Sequence, residues 1–165
     1  MPYCHHPNHG WLLTDARLAG HGLAAARRLP PGSVIIVRSD ALQCRERIRL
    51  FRQLRRVARA RRCLIYIAGA TPGAALRLGT DGLHLRDRSR VSAARARRLG
   101  LRVSMPVHNR REAAAAARAH TNHALISPLY PTRSHAGTAS LSLRQWLTLA
   151  RQAQAVPVAL GGMTA

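Results

Sequence analysis

Seven short apolar runs punctuate the chain: Trp11 to Leu13, Ser33 to Val37, Leu64 to Ile67, Gly82 to Leu85, Val103 to Val107, Ala124 to Ile126 and Val156 to Leu160. Each is rich in Val, Ile and Leu, and most are continuous rather than alternating. A strand with one wet face alternates apolar and polar positions, so continuous runs predict strands buried on both faces, as in a parallel sheet. Between them lie Ala/Arg/Leu segments of helical period: Ala16 to Leu29, Gln43 to Arg61, Val91 to Leu99, Arg110 to His120 and Ser142 to Gln154. Strand starts fall roughly 18 to 33 residues apart, the spacing that right-handed βαβ crossovers need. Turn signals separate the elements at Pro30-Pro31-Gly32, Pro72-Gly73 and Gly100. The pattern predicts a β/α repeat, closed either as a doubly wound sheet or as a (β/α)8 barrel. Residues 1–10 read as a flexible N-terminal segment and residues 11–165 as a single domain.

Ala16 to Leu29 and Gln43 to Arg61 are the clearest helices, and the second shows its faces plainly. Ile48, Leu50, Phe51, Leu54, Val57 and Ala58 form an apolar stripe, while Arg45, Arg49, Arg52, Arg55, Arg56 and Arg59 cover the rest. This is the pattern of an amphipathic helix laid on a sheet with a solvated basic face. The basic excess runs through the whole chain. Its 27 basic residues, every one an arginine, face 6 acidic ones, for a net charge of +21. Such a field attracts polyanions. Absence of Lys beside abundant Ala and Arg nevertheless fits a codon bias toward GC-rich triplets, and no aromatics interleave the basic face as a single-strand binder requires. Nucleic acid is therefore an outside reading.

At 47% apolar and 20% charged residues, the 165-residue chain has the composition of a packed domain. No apolar run approaches the ~20 residues of a membrane span. Met1 to Gly10 lacks the apolar core of a secretory signal. Cys4, Cys44 and Cys63 are odd in number and widely spaced, unlike a disulfide framework. A reducing, cytoplasmic setting is expected.

In parallel α/β folds, chemistry gathers at the carboxyl ends of the strands. Those positions hold Thr14-Asp15, Arg38-Ser39-Asp40, Ala68-Gly69-Ala70, His84 to Ser89, His108-Asn109, Ser127 to His135, and Gly161-Gly162. The rim is rich in Arg, His, hydroxyls and Gly and poor in carboxylates. Backbone N–H groups at Gly161-Gly162, the hydroxyls of Thr132 and Ser134, and Arg38 form a donor set suited to a phosphate.

These residues resemble the thiamine phosphate synthases and the related thiazole tautomerases. Leu12 to Asp15 is similar to that family's V-T-D strand, and Asp81 to Leu85 to its D-G-V-H-L. Val107-His108-Asn109 with Glu112-Ala113 looks like S-x-H-s-x-x-E-A, Ser127 to Thr132 like G-P-I-Y-P-T, and Val156 to Met163 like I-P-V-V-A-I-G-G-I. Five motifs in order, from Trp11 to the last residue, carry the likeness. It implies a TIM-barrel-type (β/α)8 fold with seven strands visible. The eighth strand, expected after Gly161-Gly162, points to C-terminal truncation or to closure by a partner or another segment.

The resemblance further implies coupling of a hydroxymethylpyrimidine pyrophosphate to a thiazole phosphate, with release of pyrophosphate and help from Mg2+. Arg38 matches an Arg of the family's R-x-K, with Asp40 in place of its Lys. Thr132 and Ser134 match the hydroxyls of T-x-T-K, with His135 in place of its Lys. The Mg2+-ligand positions fall on Ala68-Gly69-Ala70 and Ser89, so the expected carboxylates are absent. Mg2+ takes one or two carboxylates plus substrate phosphates. A tautomerase relying on His108 needs no metal. Expected site residues are thus His108 and Arg38 for catalysis, and Thr132, Ser134, His135, Gly161 and Gly162 for phosphate. A synthase, a tautomerase and a non-catalytic phosphate-binding relative all remain open, each with a small phosphorylated heterocycle as ligand, and a homo-oligomer is compatible with all three.

Overall fold

The computed structural model describes residues 10–14, 21–38, 44–86, 89–130 and 140–161. The chain divides into two compact units, Met1–Leu83 and His84–Ala165. Of the segment 1–10 expected to be flexible, residues 1–9 lie outside the described residues, and the Gly10 N–H donates to Ser33 Oγ at 3.1 Å. No helix among the described residues is long and apolar enough to cross a membrane.

The first unit runs β1 (Trp11–Thr14), α1 (Gly22–Arg28), β2 (Val34–Val37), α2 (Cys44–Arg61), β3 (Leu64–Ala68) and α3 (Pro72–Leu78), and reaches into β4 (Gly82–His84). β2 pairs in parallel with β1 and β3, with Leu12 opposite Ile35 and Ile35 opposite Ile65. Ile35, Ile36 and Val37 are 0% exposed, which is the two-sided burial that their unbroken apolar run predicts. α2 lays Phe51, Leu54 and Ala58 into the core. Burying side chains like Phe51 and Leu54 contributes about 1.5–3 kcal/mol each. Arg55, expected on the solvated face, is instead half-buried. Its guanidinium occupies the space above Gly79 that a β-carbon would fill.

α3 is an element the periodicity does not predict, because Pro72-Gly73 reads as a turn. Thr71 caps it, accepting from the Ala74 N–H at 3.2 Å. Pro72 then sits in the first turn, where a missing N–H costs nothing. Gly79, at φ 65°, ends the helix in a left-handed conformation.

Polar side chains fasten the entry to β3. The Thr80 hydroxyl donates to the Ile65 carbonyl at 2.6 Å, and Asp81 Oδ2 accepts from the Ile65 N–H at 2.8 Å. Tyr66, fully buried, packs edge-on against Trp11 at 6.0 Å between ring centroids. Cys63 is buried and free, and burial pushes its thiol above the ordinary range.

The second unit begins in β4 and continues through α4 (Arg90–Arg98), β5 (Arg102–Val107), α5 (Arg110–Arg118), β6 (His123–Ile126), α6 (Leu143–Ala153) and β7 (Val156–Ala159). β5, β6 and β7 pair in parallel, with Met105 opposite Ala124 and Ala124 opposite Pro157. The α5–α6 core is built mostly of small residues: Ala113, Ala116, Ala124 and Ala153 join Val107, Ile126 and Leu149. Small side chains let the two helices approach closely, as interior packing density requires. Ser89, Asn109 and Ser142 cap α4, α5 and α6, and Gln145 completes a capping box at Ser142.

Gly82 lies directly against an enclosed aromatic ring. A β-carbon there would lie 2.6 Å from the Tyr66 ring, and that ring is enclosed. Gly82→Ala is expected to destabilise the fold by about 1–3 kcal/mol in chemical denaturation. Tyr66→Leu in the Gly82→Ala background should recover part of the loss.

Candidate functional site

In the first unit, Arg38 follows directly on the last residue of β2. Its backbone N–H donates to Thr14 Oγ1 at 3.1 Å, while that hydroxyl donates to the Ile36 carbonyl at 3.4 Å. Thr14, the last residue of β1, is 3% exposed. The paired ends of β1 and β2 therefore hold the Arg38 backbone through one buried hydroxyl. Arg38 Nε is itself buried and has no hydrogen-bond partner among the described residues. A desolvated guanidinium N–H without an acceptor is costly, and groups of this kind are uncommon in folded proteins.

In the second unit, His108 follows β5. Its Nδ1 lies 2.9 Å from the Ser127 carbonyl oxygen and 3.2 Å from Ser127 Oγ. A carbonyl oxygen can only accept, so the proton resides on Nδ1 and Nε2 becomes the basic nitrogen. The His108 backbone N–H donates to Glu112 Oε2 at 2.7 Å, and the Glu112 N–H donates to Asn109 Oδ1 at 3.0 Å. Glu112 is only 7% exposed. This variant of a capping box starts α5 and fixes the chain on which the imidazole sits.

The segment after β6 is held on its other side by β7. The Leu129 N–H donates to the Leu160 carbonyl at 2.9 Å, and the Tyr130 N–H to the Gly161 carbonyl at 3.2 Å. Gly161 has φ 93°, and a β-carbon there would meet Pro128 Cα at 2.9 Å. Only glycine fits both demands. His108 and Gly161 thus both rest on residues 127–130, one through Ser127 and the other through Pro128 and Tyr130. Beside them, between the starts of α5 and α6, lies a cavity of about 450 Å3 lined by His108, Asn109, Arg110, Arg144, Gln145 and Thr148, among others.

Thr132, Ser134, His135 and Gly162, expected to bind phosphate, lie outside the described residues. The motif reading missed the supporting roles of Thr14, Glu112 and Ser127. It also missed a buried polar pair, His84 Nδ1 and Ser104 Oγ at 3.0 Å. A His or Ser within an apolar run signals such a pair only once the strands are aligned.

Polar groups at the carboxyl ends of parallel strands, with a helix between each strand and the next, define a β/α protein of the TIM-barrel type. The solved structures agree on the fold. Over 95% of this chain and 76% of the other, a thiamine phosphate pyrophosphorylase from Pyrococcus furiosus superposes with a TM-score of 0.76 at 21% identity. The native KDPGal structure superposes with a TM-score of 0.59 at 18% identity, over 98% of this chain and 75% of that one. No curated protein matches the sequence. The family model described as thiamine monophosphate synthase matches residues 14–165, and the chain belongs to that family.

Glu112→Ala removes the acceptor of the His108 N–H and opens the start of α5. Thermal or urea unfolding should register a loss of about 1–3 kcal/mol. Glu112→Gln, which keeps an acceptor oxygen, should lose less than Glu112→Ala.

Proposed function

We propose that the chain is a thiamine phosphate synthase in which arginine, rather than Mg2+, stabilises the departing pyrophosphate. The thiazole ring nitrogen attacks the exocyclic methylene carbon of the pyrimidine as that carbon's bond to the pyrophosphate oxygen breaks. The electron pair leaves with the pyrophosphate. The observation that carries this reading is Arg38 Nε, buried just after β2 with no hydrogen-bond partner among the described residues. A polyanionic leaving group supplies the acceptor that this nitrogen lacks. Arginine suits the task because its planar donors engage phosphate oxygens in pairs. Positioned donors act most strongly where charge develops in the transition state.

The described residues at the two positions aligned with metal ligands do not fit Mg2+. Ala68 ends β3 with a methyl group, Gly69 has no side chain, and Ser89 Oγ accepts from the Ser92 N–H at 3.1 Å as the cap of α4. Hard divalent cations need carboxylate or comparable oxygen ligands. No cluster of three His, Cys, Asp or Glu side chains suited to a metal occurs among the described residues. No step is therefore routed through a metal.

Formation of thiamine phosphate from the two substrates is the test, run with Mg2+ and with EDTA. Product should form in both. Arg38→Ala should lower the rate by about 10²–10³-fold, the cost of removing one preorganised donor. Absence of product, or a strict need for Mg2+, contradicts the proposal.

A second reading is supported by the His108 tautomer. With Nδ1–H held by the Ser127 carbonyl, Nε2 is suited to move a proton on a thiazole carboxylate phosphate, which is the tautomerase reaction. A positioned base of this kind contributes about 10²–10⁴-fold. His108→Ala should abolish that much of the isomerisation while the circular dichroism stays native. An unchanged isomerisation rate removes this reading.

A further inference from the structure

The net charge gives no information on arrangement, whereas α2 arranges it. Arg45, Arg49, Arg52, Arg56 and Arg59 are all exposed. Their spacing alternates four and three residues, so each stands one turn beyond the last on a single face. At 1.5 Å of rise per residue, the row runs for about 21 Å. The opposite face is committed, since Phe51, Leu54 and Ala58 are buried in the core. The rail is thus fixed in position and cannot rotate.

Solvated helix faces ordinarily mix charges of both signs, because like charges one turn apart repel. Here Glu46 is the one carboxylate among the described residues of α2. The other described carboxylate of this unit, Asp81, accepts from the Ile65 N–H at β3. A self-repelling row of cations is relieved by a linear polyanion of matching length. About 21 Å spans roughly two-thirds of a ~34 Å duplex turn, over which both strands present phosphates to one side.

The same geometry selects among polyanions. A membrane-surface helix presents its apolar face to lipid, and that face of α2 is inside the protein. Single strands are held by bases stacked on exposed aromatics. Among the described residues of this unit, Phe51 and Tyr66 are fully buried and Trp11 is half-buried. What remains is contact with phosphates alone.

We propose that α2 is a docking rail for duplex nucleic acid, gripped by its phosphate backbone without regard to base sequence through Arg45, Arg49, Arg52, Arg56 and Arg59. This inference is independent of the strand-end reaction, because none of the five arginines belongs to that site.

The test uses the full chain and a mixed-sequence DNA duplex of about two turns, with affinity followed by fluorescence anisotropy between about 50 and 200 mM salt. Five phosphate contacts predict a slope of log K against log salt near −4.5, or ~0.9 per contact. Arg52→Gln with Arg56→Gln should make that slope shallower by about 2. Arg118→Gln with Arg151→Gln removes the same charge from exposed positions of the second unit and should leave it unchanged. If the first double variant melts below the wild type, Arg49→Gln with Arg59→Gln reads the same quantity. Equal effects from both sites, no effect from either, or binding to anionic vesicles but not to the duplex overturns the proposal. Pyrophosphate release is assayed in parallel, so failure of the rail and failure of the synthase reading are separately visible.

Discussion

A strand buried on both faces can satisfy its backbone only through its neighbours in the sheet, and the rest of this structure depends on that constraint. β2 meets it by pairing with β1 on one side and β3 on the other, with Ile35, Ile36 and Val37 wholly removed from water. Each parallel neighbour requires a crossover, and each crossover here is a helix with one apolar face. Apart from the His84–Ser104 pair, the buried side chains of the strands are mostly committed to packing. Polar chemistry is thereby displaced to the strand ends, where the chain turns outward.

At those ends the protein uses few groups, and each holds another. The Thr14 hydroxyl joins the Arg38 backbone to β2, Glu112 fixes the start of α5 beneath His108, and Ser127 sets the imidazole tautomer. These contacts run largely between side chain and backbone, so they fix where the main chain leaves the sheet. Arg38 is the exception. Its Nε is desolvated without an acceptor among the described residues. Among the described carboxylates, by contrast, Asp81 and Glu112 are spent on structure, both accepting backbone N–H groups.

Much of this was legible beforehand because apolar runs report burial directly. All seven runs correspond to strands within one or two residues of the expected ends. α2, α4, α5 and α6 followed from helical period. α3 did not, since its seven residues are too few to show a period and Pro72 reads as a breaker until Thr71 is seen to cap it. Arg55 was misplaced because an amphipathic wheel does not show that Gly79 leaves room for a guanidinium. Motif likeness singled out Arg38, His108 and Gly161 as expected site residues. Their supports could not be read so early, because Thr14 to Arg38 and His108 to Ser127 are contacts between strands and depend on register.

The central claim is that the strand ends take a small phosphorylated heterocycle, and thermal unfolding of the full chain with a thiazole phosphate addresses it most directly. At about 100 times its Kd, a ligand specific for the native state adds roughly 2.7 kcal/mol. For a chain of this size that is a rise in Tm of about 5–10 °C. Such a rise, diminished in Arg38→Ala, is the result this account requires. A Tm unmoved by the thiazole phosphate, or raised equally by inorganic phosphate, would contradict it.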